Sequence, residues 1–319
     1  MAKSAKNPKE YKMLTVFSGI GGLDLGLEAA GFKSIGYIEQ CSTCRKTIDC
    51  NRPNWNELPW SDVHDAIKEC NPKYFKMRPG ELSLLAGAPP CQPFSKASQW
   101  AENGRQGLKD KRAGTLSAFL SLVESFLPKS VVIENVPEFW SHSMGVKEYI
   151  NEFLLRIEEK HSIRYRLNAE ILDSADYGVP QTRKRLIIVL VQEDGFEWPE
   201  KKYLDSPISA WDAIGTLKSK EIPKASGKWA SLLPSIPEGE NYIWHSSRGG
   251  GLELFGYRTR FWSFLLKLSK NRPSWTLAAQ PGPSTGPFHW ENRPLSIDEM
   301  LKLQSFPKWN VCGDRRSQI

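Results

Sequence analysis

The sequence predicts an α/β domain with a mainly parallel sheet, followed by a smaller, irregular domain of β and coil. Three observations predict it. Short apolar runs alternate with segments of helical periodicity through residue 160. Chemically interesting residues follow the ends of four of those runs. After residue 195 the periodicity fades, Pro, Gly and Trp become frequent, and eight of the twelve tryptophans lie there.

The elements are read in order. Residues 1–12 are a polar, basic tail. Met13 to Phe17 reads as a buried strand running into Ser18-Gly19-Ile20-Gly21-Gly22. Leu23, Leu27 and Ala30 are at helical spacing, and Gly31 is a helix stop. Ser34–Ile38 is a second strand ending at Glu39, and Leu82–Ala86 a third, running into Gly87-Ala88-Pro89-Pro90-Cys91. A helix over Leu116–Phe126 leads to a fourth strand, Val131–Ile133, which ends in Glu134-Asn135-Val136-Pro137. A helix over Val146–Glu159 precedes two strands close enough to pair, Arg164–Leu172 and Arg185–Val191. In sheets of this class ligands bind beyond the carboxyl ends of the strands, so the four strand ends are expected to share one crevice.

The composition is that of an ordinary globular chain: 319 residues, 40% hydrophobic and 25% charged. No run approaches the ~18 apolar residues of a membrane span, and no signal-type apolar segment follows the N-terminus, so a cytoplasmic protein is expected. Six cysteines without a secretion signal do not imply disulfides. Residues 196–319 hold 17 basic against 12 acidic side chains, an excess suited to a polyanionic partner.

The Gly19, Gly21, Gly22 turn opens a helix and lets a ligand approach backbone N–H groups. A dinucleotide fingerprint would need glycine at position 24, which is Asp24, so a nicotinamide-dinucleotide enzyme is not expected. Glu39 at the next strand end is placed to accept hydrogen bonds from ribose hydroxyls. Cys91 follows two prolines, which stiffen the turn that holds it, and Arg183 and Arg185 are possible sources of the positive surround a thiolate needs. Burial of Glu134 at its strand end would suit a proton donor or a partner for a ring nitrogen. Cys41 and Cys44 invite a metal reading, but there is no second C-x-x-C and no paired histidines. They are read instead as one helix face packed on the sheet, with no metal. Residues 96–113, with five basic and two acidic side chains, read as a basic loop placed to cover a polyanion, or as a plain solvated loop.

Taken together, these residues resemble the DNA cytosine-5 methyltransferases, from about Leu14 to the last residue. Phe17-Ser18-Gly19-Ile20-Gly21-Gly22-Leu23 resembles the family's cofactor turn, Glu39 its ribose-binding acid, and Asp62-Val63 its adenine-contacting position. Gly87-Ala88-Pro89-Pro90-Cys91-Gln92-Pro93-Phe94-Ser95 resembles the nucleophile motif. Glu134-Asn135-Val136-Pro137 and Gln181-Thr182-Arg183-Lys184-Arg185 resemble two further motifs, and Arg272–Thr276 and Leu295–Pro307 those near the end. The resemblance implies a Rossmann-like S-adenosylmethionine-dependent methyltransferase domain over 1–195, to which 291–319 returns, and a target recognition domain over 196–290.

The implied catalytic residues are Cys91, Glu134, Arg183, Arg185 and Pro90. Cys91 would attack C6 of a flipped-out cytosine, Glu134 would hold N3 and the exocyclic amine, Arg185 the base, and Pro90 would orient the nucleophile. S-adenosyl-L-methionine would meet the 17–23 turn, Glu39, Asp62, Val63 and Pro89, leaving S-adenosyl-L-homocysteine as product. Residues expected at DNA are Gln92, Ser95, Lys96, Arg105, Arg112 and Gln181, with Arg248, Arg258 and Arg260 in the distal domain. The tyrosines and tryptophans around those last three serve equally well as that domain's core.

Two departures stand out. Asp110 to Leu116 holds one residue more than the family pattern. The chain stops at Arg316-Ser317-Gln318-Ile319, the opening of the family's last motif. The expectation is an incomplete motif, from truncation or because the chain is one part of a split enzyme that receives the motif in trans, and otherwise a monomer. The expected partners are double-stranded DNA and a cognate restriction endonuclease. The rival substrate is tRNA, but the Cys-Phe-Thr signature of that branch is absent. The rival role is a non-catalytic DNA-binding subunit, which would have no need of Cys91, Glu134, Arg183 and Arg185 together.

Overall fold

The structure, a computed structural model, describes residues 10–90, 114–258, 261–278 and 281–313. The chain divides into two compact units, Met1–Ile171 with Arg185–Trp198, and Leu172–Lys184 with Pro199–Ile319.

In the first unit, β1 (Tyr11–Val16) is buried on both faces from Met13 to Val16. Such a continuous apolar run is what a central parallel strand requires. It pairs in parallel with β2 (Phe32–Ile38) on one side and β3 (Leu84–Gly87) on the other. β3 pairs in parallel with β4 (Ser130–Asn135). β7 (Lys184–Val191) then runs antiparallel to β4 and separates it from β5 (Arg166–Asp173), giving the order β2-β1-β3-β4-β7-β5. The chain leaves β1 toward opposite sides for β2 and β3, so the strand order reverses at β1, where the carboxyl ends of such strands form a crevice.

Helices α1 (Gly22–Ala29), α2 (Ser42–Asn51), α3 (Val63–Glu69), α4 (Gly114–Phe126) and α5 (Val146–His161) cover the sheet. The predicted face of α1 is right at Leu23 and Leu27, which pack near Met13, Leu84 and Ala86. It is wrong at Ala30, which is exposed and caps the helix end. The main core gathers Leu14, Val16, Leu85, Phe119, Phe126, Ile133, Phe153 and Ile188. Gly87 must be glycine: a Cβ there would lie 2.7 Å from the Phe119 ring and 2.9 Å from the Val16 carbonyl oxygen. The reading of Cys41 and Cys44 as a sheet-packed helix face is corrected. Cys41 precedes α2 and is exposed, and the helix buries Thr47 and Ile48 instead.

In the second unit the regular elements are short: α6 (Ala210–Ile214), α7 (Ile297–Leu303), several 3-10 turns, and strands of two residues, β6 (Gln181–Thr182), β8 (Ser274–Trp275), β9 (Phe288–His289) and β10 (Arg293–Pro294). Residues expected to return to the first domain, 291–313, pack here: Leu295, Met300 and Leu303 join Ala210, Ile214, Leu268 and Leu277 in one core. A second core is aromatic, with Tyr242, Phe288, Trp229, Phe255 and Phe264. Lys267 is buried beside it and donates its three N–H groups to the carbonyl oxygens of Leu233 and Ile236 and to Asn292 Oδ1. No charged partner touches the ammonium in that set, and burial pulls its pKa down. Among the described residues no helix is long and apolar enough to cross a membrane.

Candidate active site

The ends of β1, β2, β3, β4 and the start of β7 carry the site within the first unit. After β1 the chain turns sharply, with Phe17, Gly19 and Gly21 at positive φ of 62°, 55° and 90°. Gly21 caps α1, and its N–H donates to the Ser18 carbonyl at 2.9 Å. The Phe17 N–H reaches the Ile38 carbonyl of β2 at 2.8 Å, tying the turn to the adjacent strand. A Cβ on Gly19 would meet nothing within 4 Å, so open space lies over the turn. Leu23 faces the sheet and Ile20 is half-buried.

Glu39 joins this turn to the next helix. Its Oε2 accepts the Gly19 N–H at 2.7 Å, and its Oε1 accepts the Cys41 N–H at 2.7 Å. A carboxylate offers about four lone-pair sites, so two remain for a ligand's hydroxyls. Asp62 caps α3 by accepting the His64 N–H at 2.8 Å, and its second oxygen accepts Gln40 Nε2 at 3.0 Å. Val63, grouped with Asp62 from the sequence, has its side chain in the hydrophobic core. The first residue of a helix on a packed sheet is buried, so what Val63 can offer a ligand is backbone.

Beneath the turn lies a group the sequence reading passed over. Asp24 is fully buried, and its Oδ1 accepts both the Thr15 hydroxyl and, at 3.1 Å, the Ser18 hydroxyl. Its Oδ2 has no hydrogen-bond partner among the described residues. Burial pushes this carboxyl up to about 6, with the Glu39 charge adding to the shift. In the sequence Asp24 stands out only as the residue that breaks the dinucleotide fingerprint. An acid following a glycine turn, on a helix with apolar neighbours, is the signal that could have found it.

The β3 turn ends at Pro89, buried, and Pro90, exposed. Asn135, at the end of β4, donates its side-chain amide to the Pro89 carbonyl at 3.1 Å, while its Oδ1 accepts the Val136 N–H at 2.9 Å. The adjacent residue, Glu134, meets Arg185 of β7 at 2.8 Å. Glu134 lies opposite Ile187 in the ladder, and Arg185 is two residues along, hence on the same face. Each side chain keeps about a quarter of its exposure (21% for Arg185, 26% for Glu134), so the pair is reachable by a ligand. Glu134 is partly buried, as its place after the apolar run suggests, and the ion pair with Arg185 is what that run does not reveal.

Cys91, Gln92, Ser95, Lys96, Arg105, Arg112 and Arg260 lie outside the described residues. Arg183 belongs to the second unit, where its N–H donates to Asp173 Oδ1 at 2.9 Å and its carbonyl accepts the Ser174 N–H at 3.1 Å. Gln181, expected at DNA, is fully buried, with neither side-chain amide atom hydrogen-bonded among the described residues. Its strand β6 pairs with β8 at Ser274, which encloses it. Arg248 and Arg258 are exposed. The Arg248 guanidinium stacks on Tyr257 at 3.7 Å from the ring centre, and the Arg258 N–H donates to the Tyr242 hydroxyl at 2.9 Å.

Comparison with known proteins gives the family. Residues 11–319 match the family described as C-5 cytosine-specific DNA methylase. The chain is similar to the type II methyltransferase M.SacI of Streptomyces achromogenes, 30% identical over 93% of this chain and 84% of that one. It is likewise 30% identical to the type II methyltransferase M.PspPI of a Psychrobacter species, over 96% of this chain and 73% of that one. Among solved structures, the Entamoeba histolytica methyltransferase EhMeth shares the fold at a TM-score of 0.59 and 16% identity, covering 98% of this chain and 92% of that one. With its strand-end turns, its Glu134–Arg185 pair and a family match over nearly its whole length, the chain belongs to the C-5 cytosine-specific DNA methylases and is a DNA (cytosine-5) methyltransferase.

Proposed function

We propose that the chain is the modification enzyme of a type II restriction–modification system, which methylates C5 of one flipped-out cytosine in a short duplex sequence. The observation that carries the reading is the reachable Glu134–Arg185 pair at the end of β4. It adjoins the turn that leads to Cys91, itself fastened by the Asn135 amide.

S-adenosyl-L-methionine fits the residues present. Open space over Gly19 admits a ligand, and two remaining acceptor sites on Glu39 suit ribose hydroxyls. Asp62 and Gln40, hydrogen-bonded to each other, border the same strand end and offer polar groups to an adenine edge. When bound, the cofactor supplies an electrophilic methyl group and leaves as S-adenosyl-L-homocysteine.

The chain's own residues do the rest. The Cys91 thiolate adds to C6 of the cytosine, and the electron pair of the C5–C6 double bond moves toward C5 and the ring. Glu134 accepts a hydrogen bond from the exocyclic amine and, once protonated, donates to N3, and Arg185, held by Glu134, donates to the O2 side, so charge that develops on the ring is met by a proton and a fixed cation. C5 then takes the methyl group. Loss of the C5 proton to a water molecule restores the double bond and expels the thiolate. Pro89 and Pro90 keep the nucleophile turn stiff, with the Pro89 carbonyl anchored by Asn135. Arg183 keeps the supporting role at the base that the family implies, and the basic 96–113 segment, which lies outside the described residues, is assigned to DNA contact.

The second unit is assigned to target recognition, with Arg248 on its Tyr257 platform and Arg258 as candidate contacts to DNA. Double-stranded DNA is the substrate, a monomer the working form, the cytoplasm its location, and a cognate endonuclease the partner in the same system. The test is transfer of labelled methyl groups from S-adenosylmethionine to duplex DNA and to tRNA. Duplex DNA should be labelled, Cys91→Ala should abolish transfer, and Glu134→Gln should lower kcat by about 100-fold or more. Preferred labelling of tRNA, or turnover by Cys91→Ala, would overturn the reading.

A further inference from the structure

We propose that Cys41 and Cys44 are a reversible thiol–disulfide modification site, and that closing the bridge weakens cofactor binding through Glu39. The coupling half of this proposal rests on Glu39 being the cofactor's ribose acid.

The two thiols are placed for it. Cys41 is the residue before α2, with extended backbone at φ −71° and ψ 112°, and Cys44 is the third helical residue. The first turn is closed by the Arg45 N–H on the Cys41 carbonyl at 3.0 Å. Cys41 and Cys44 therefore bracket the same first turn of the helix. Residues three apart on a helical turn have Cβ atoms about 5–6 Å apart and a disulfide spans about 3.5–4.5 Å, so closing the bond needs a movement of about 1–2 Å, which falls on Cys41, whose backbone is outside the helix. Both are free thiols here; Cys41 is exposed and Cys44 half-buried.

The two sulfurs have different roles. Burial pushes the Cys44 thiol up to about 12, so it stays protonated at neutral pH. Cys41, exposed to solvent, is the sulfur a peroxide reaches and is assigned as the attacking one. With a peroxide as oxidant, the Cys41 thiolate attacks one peroxide oxygen, the O–O bond breaks, and the departing hydroxide takes a proton and leaves as water. Cys44 then attacks the resulting sulfenic sulfur. The S–O bond breaks, and its oxygen leaves with the Cys44 proton as a second water. Two thiols are oxidised by two electrons and one peroxide is reduced.

The link to the cofactor site is one hydrogen bond long. The backbone N–H of Cys41 donates to Glu39 Oε1 at 2.7 Å, and the other oxygen holds Gly19 of the glycine turn. Arg45 Nη1 donates to the carbonyls of Glu39 at 2.9 Å and Gln40 at 2.7 Å, so residues 39–45 move as a unit. Bringing the sulfurs to a bond of about 2.05 Å pulls Cys41 toward the helix and turns its N–H away from Glu39.

The experiment uses the full chain carrying Cys91→Ala, so the proposed nucleophile cannot react, treated with hydrogen peroxide and then with dithiothreitol. Trypsin releases Ser34–Arg45, which holds both cysteines, so a bridge appears as the loss of two hydrogens from one peptide. Affinity for S-adenosylhomocysteine is measured by calorimetry at each stage. The expected result is the bridged peptide, a roughly ten-fold weaker affinity restored by the reductant, and no effect of peroxide when Cys44→Ser is added. If both thiols are alkylated after peroxide, the modification site is overturned. If the bridge forms, affinity is unchanged, and Glu39→Gln does weaken binding, the coupling is overturned. If Glu39→Gln leaves affinity unchanged, the ribose reading itself fails and the coupling with it.

Discussion

Asn at position 24 would change how stability depends on pH. In the fold, burial raises the Asp24 carboxyl from 3.8 to about 6. The folded state therefore holds its proton more tightly than the unfolded state, and stability falls as pH rises from about 4 to 6. The rise is worth roughly 3 kcal/mol over the whole window, because each ten-fold gain in proton affinity is about 1.4 kcal/mol. Between pH 8 and pH 5 the linkage contributes about 1.4 kcal/mol of that. Asp24→Asn removes the titration but keeps an acceptor for the Thr15 and Ser18 hydroxyls. Its new amide takes the place of Oδ2, which is buried and unpaired among the described residues, at a cost of about 1–3 kcal/mol that does not change with pH. Urea unfolding of both proteins at pH 8 and pH 5 isolates the effect. The variant should lose about 1.4 kcal/mol more, relative to wild type, at pH 5 than at pH 8. An equal difference at both pH values would refute a proton held on Asp24. A difference that grows toward pH 8 would mean the charged form is the one the fold prefers.

The remaining predictions concern the strand ends and the second unit. Glu39→Ala frees the Gly19 and Cys41 N–H groups, and the KM for S-adenosylmethionine should rise about ten-fold or more with kcat largely kept, since hydrogen bonds to a charged group are worth about 1.5–3 kcal/mol. Steady-state kinetics with saturating DNA checks this; an unchanged KM refutes it. Asn135→Ala leaves the Pro89 carbonyl without its amide partner, an effect of about 1–3 kcal/mol, and should lower kcat more than it raises either KM. Arg248→Ala should relax one position of the methylated sequence by about 1–3 kcal/mol if its guanidinium reads a base edge. Uniformly weaker binding with a shallower salt dependence would instead make it a phosphate contact.

The strand ends are legible in the sequence because they are local events: a run of apolar residues, then glycine, proline or an acid. β1, β4 and α5 fall close to where periodicity puts them, and Glu39 sits at a strand end as read. What is not legible comes from pairing at a distance. The antiparallel insertion of β7 beside β4 brings Arg185 onto Glu134, and no spacing along the chain encodes a diagonal pair so far apart in sequence. The Asn135 bond to Pro89 spans 46 positions and escapes for the same reason. Gln181 reads as a polar residue beside arginines, yet its strand pairs with Ser274, far along the chain, and is enclosed. Residues 291–313 join the second unit through apolar contacts with α6, which a motif order along the chain does not reveal.

Methylation of cytosine C5 in DNA through Cys91 is the step on which all of this chemistry depends. Its most direct test is whole-genome bisulfite sequencing of a bacterium that lacks its own cytosine methylation and expresses this chain, beside one expressing Cys91→Ala. Protected cytosines are expected at every copy of one short sequence in the first strain and at none in the second. Methylation that survives Cys91→Ala would contradict the Cys91 chemistry, and so would a genome left unmethylated by a folded, cofactor-binding wild-type chain.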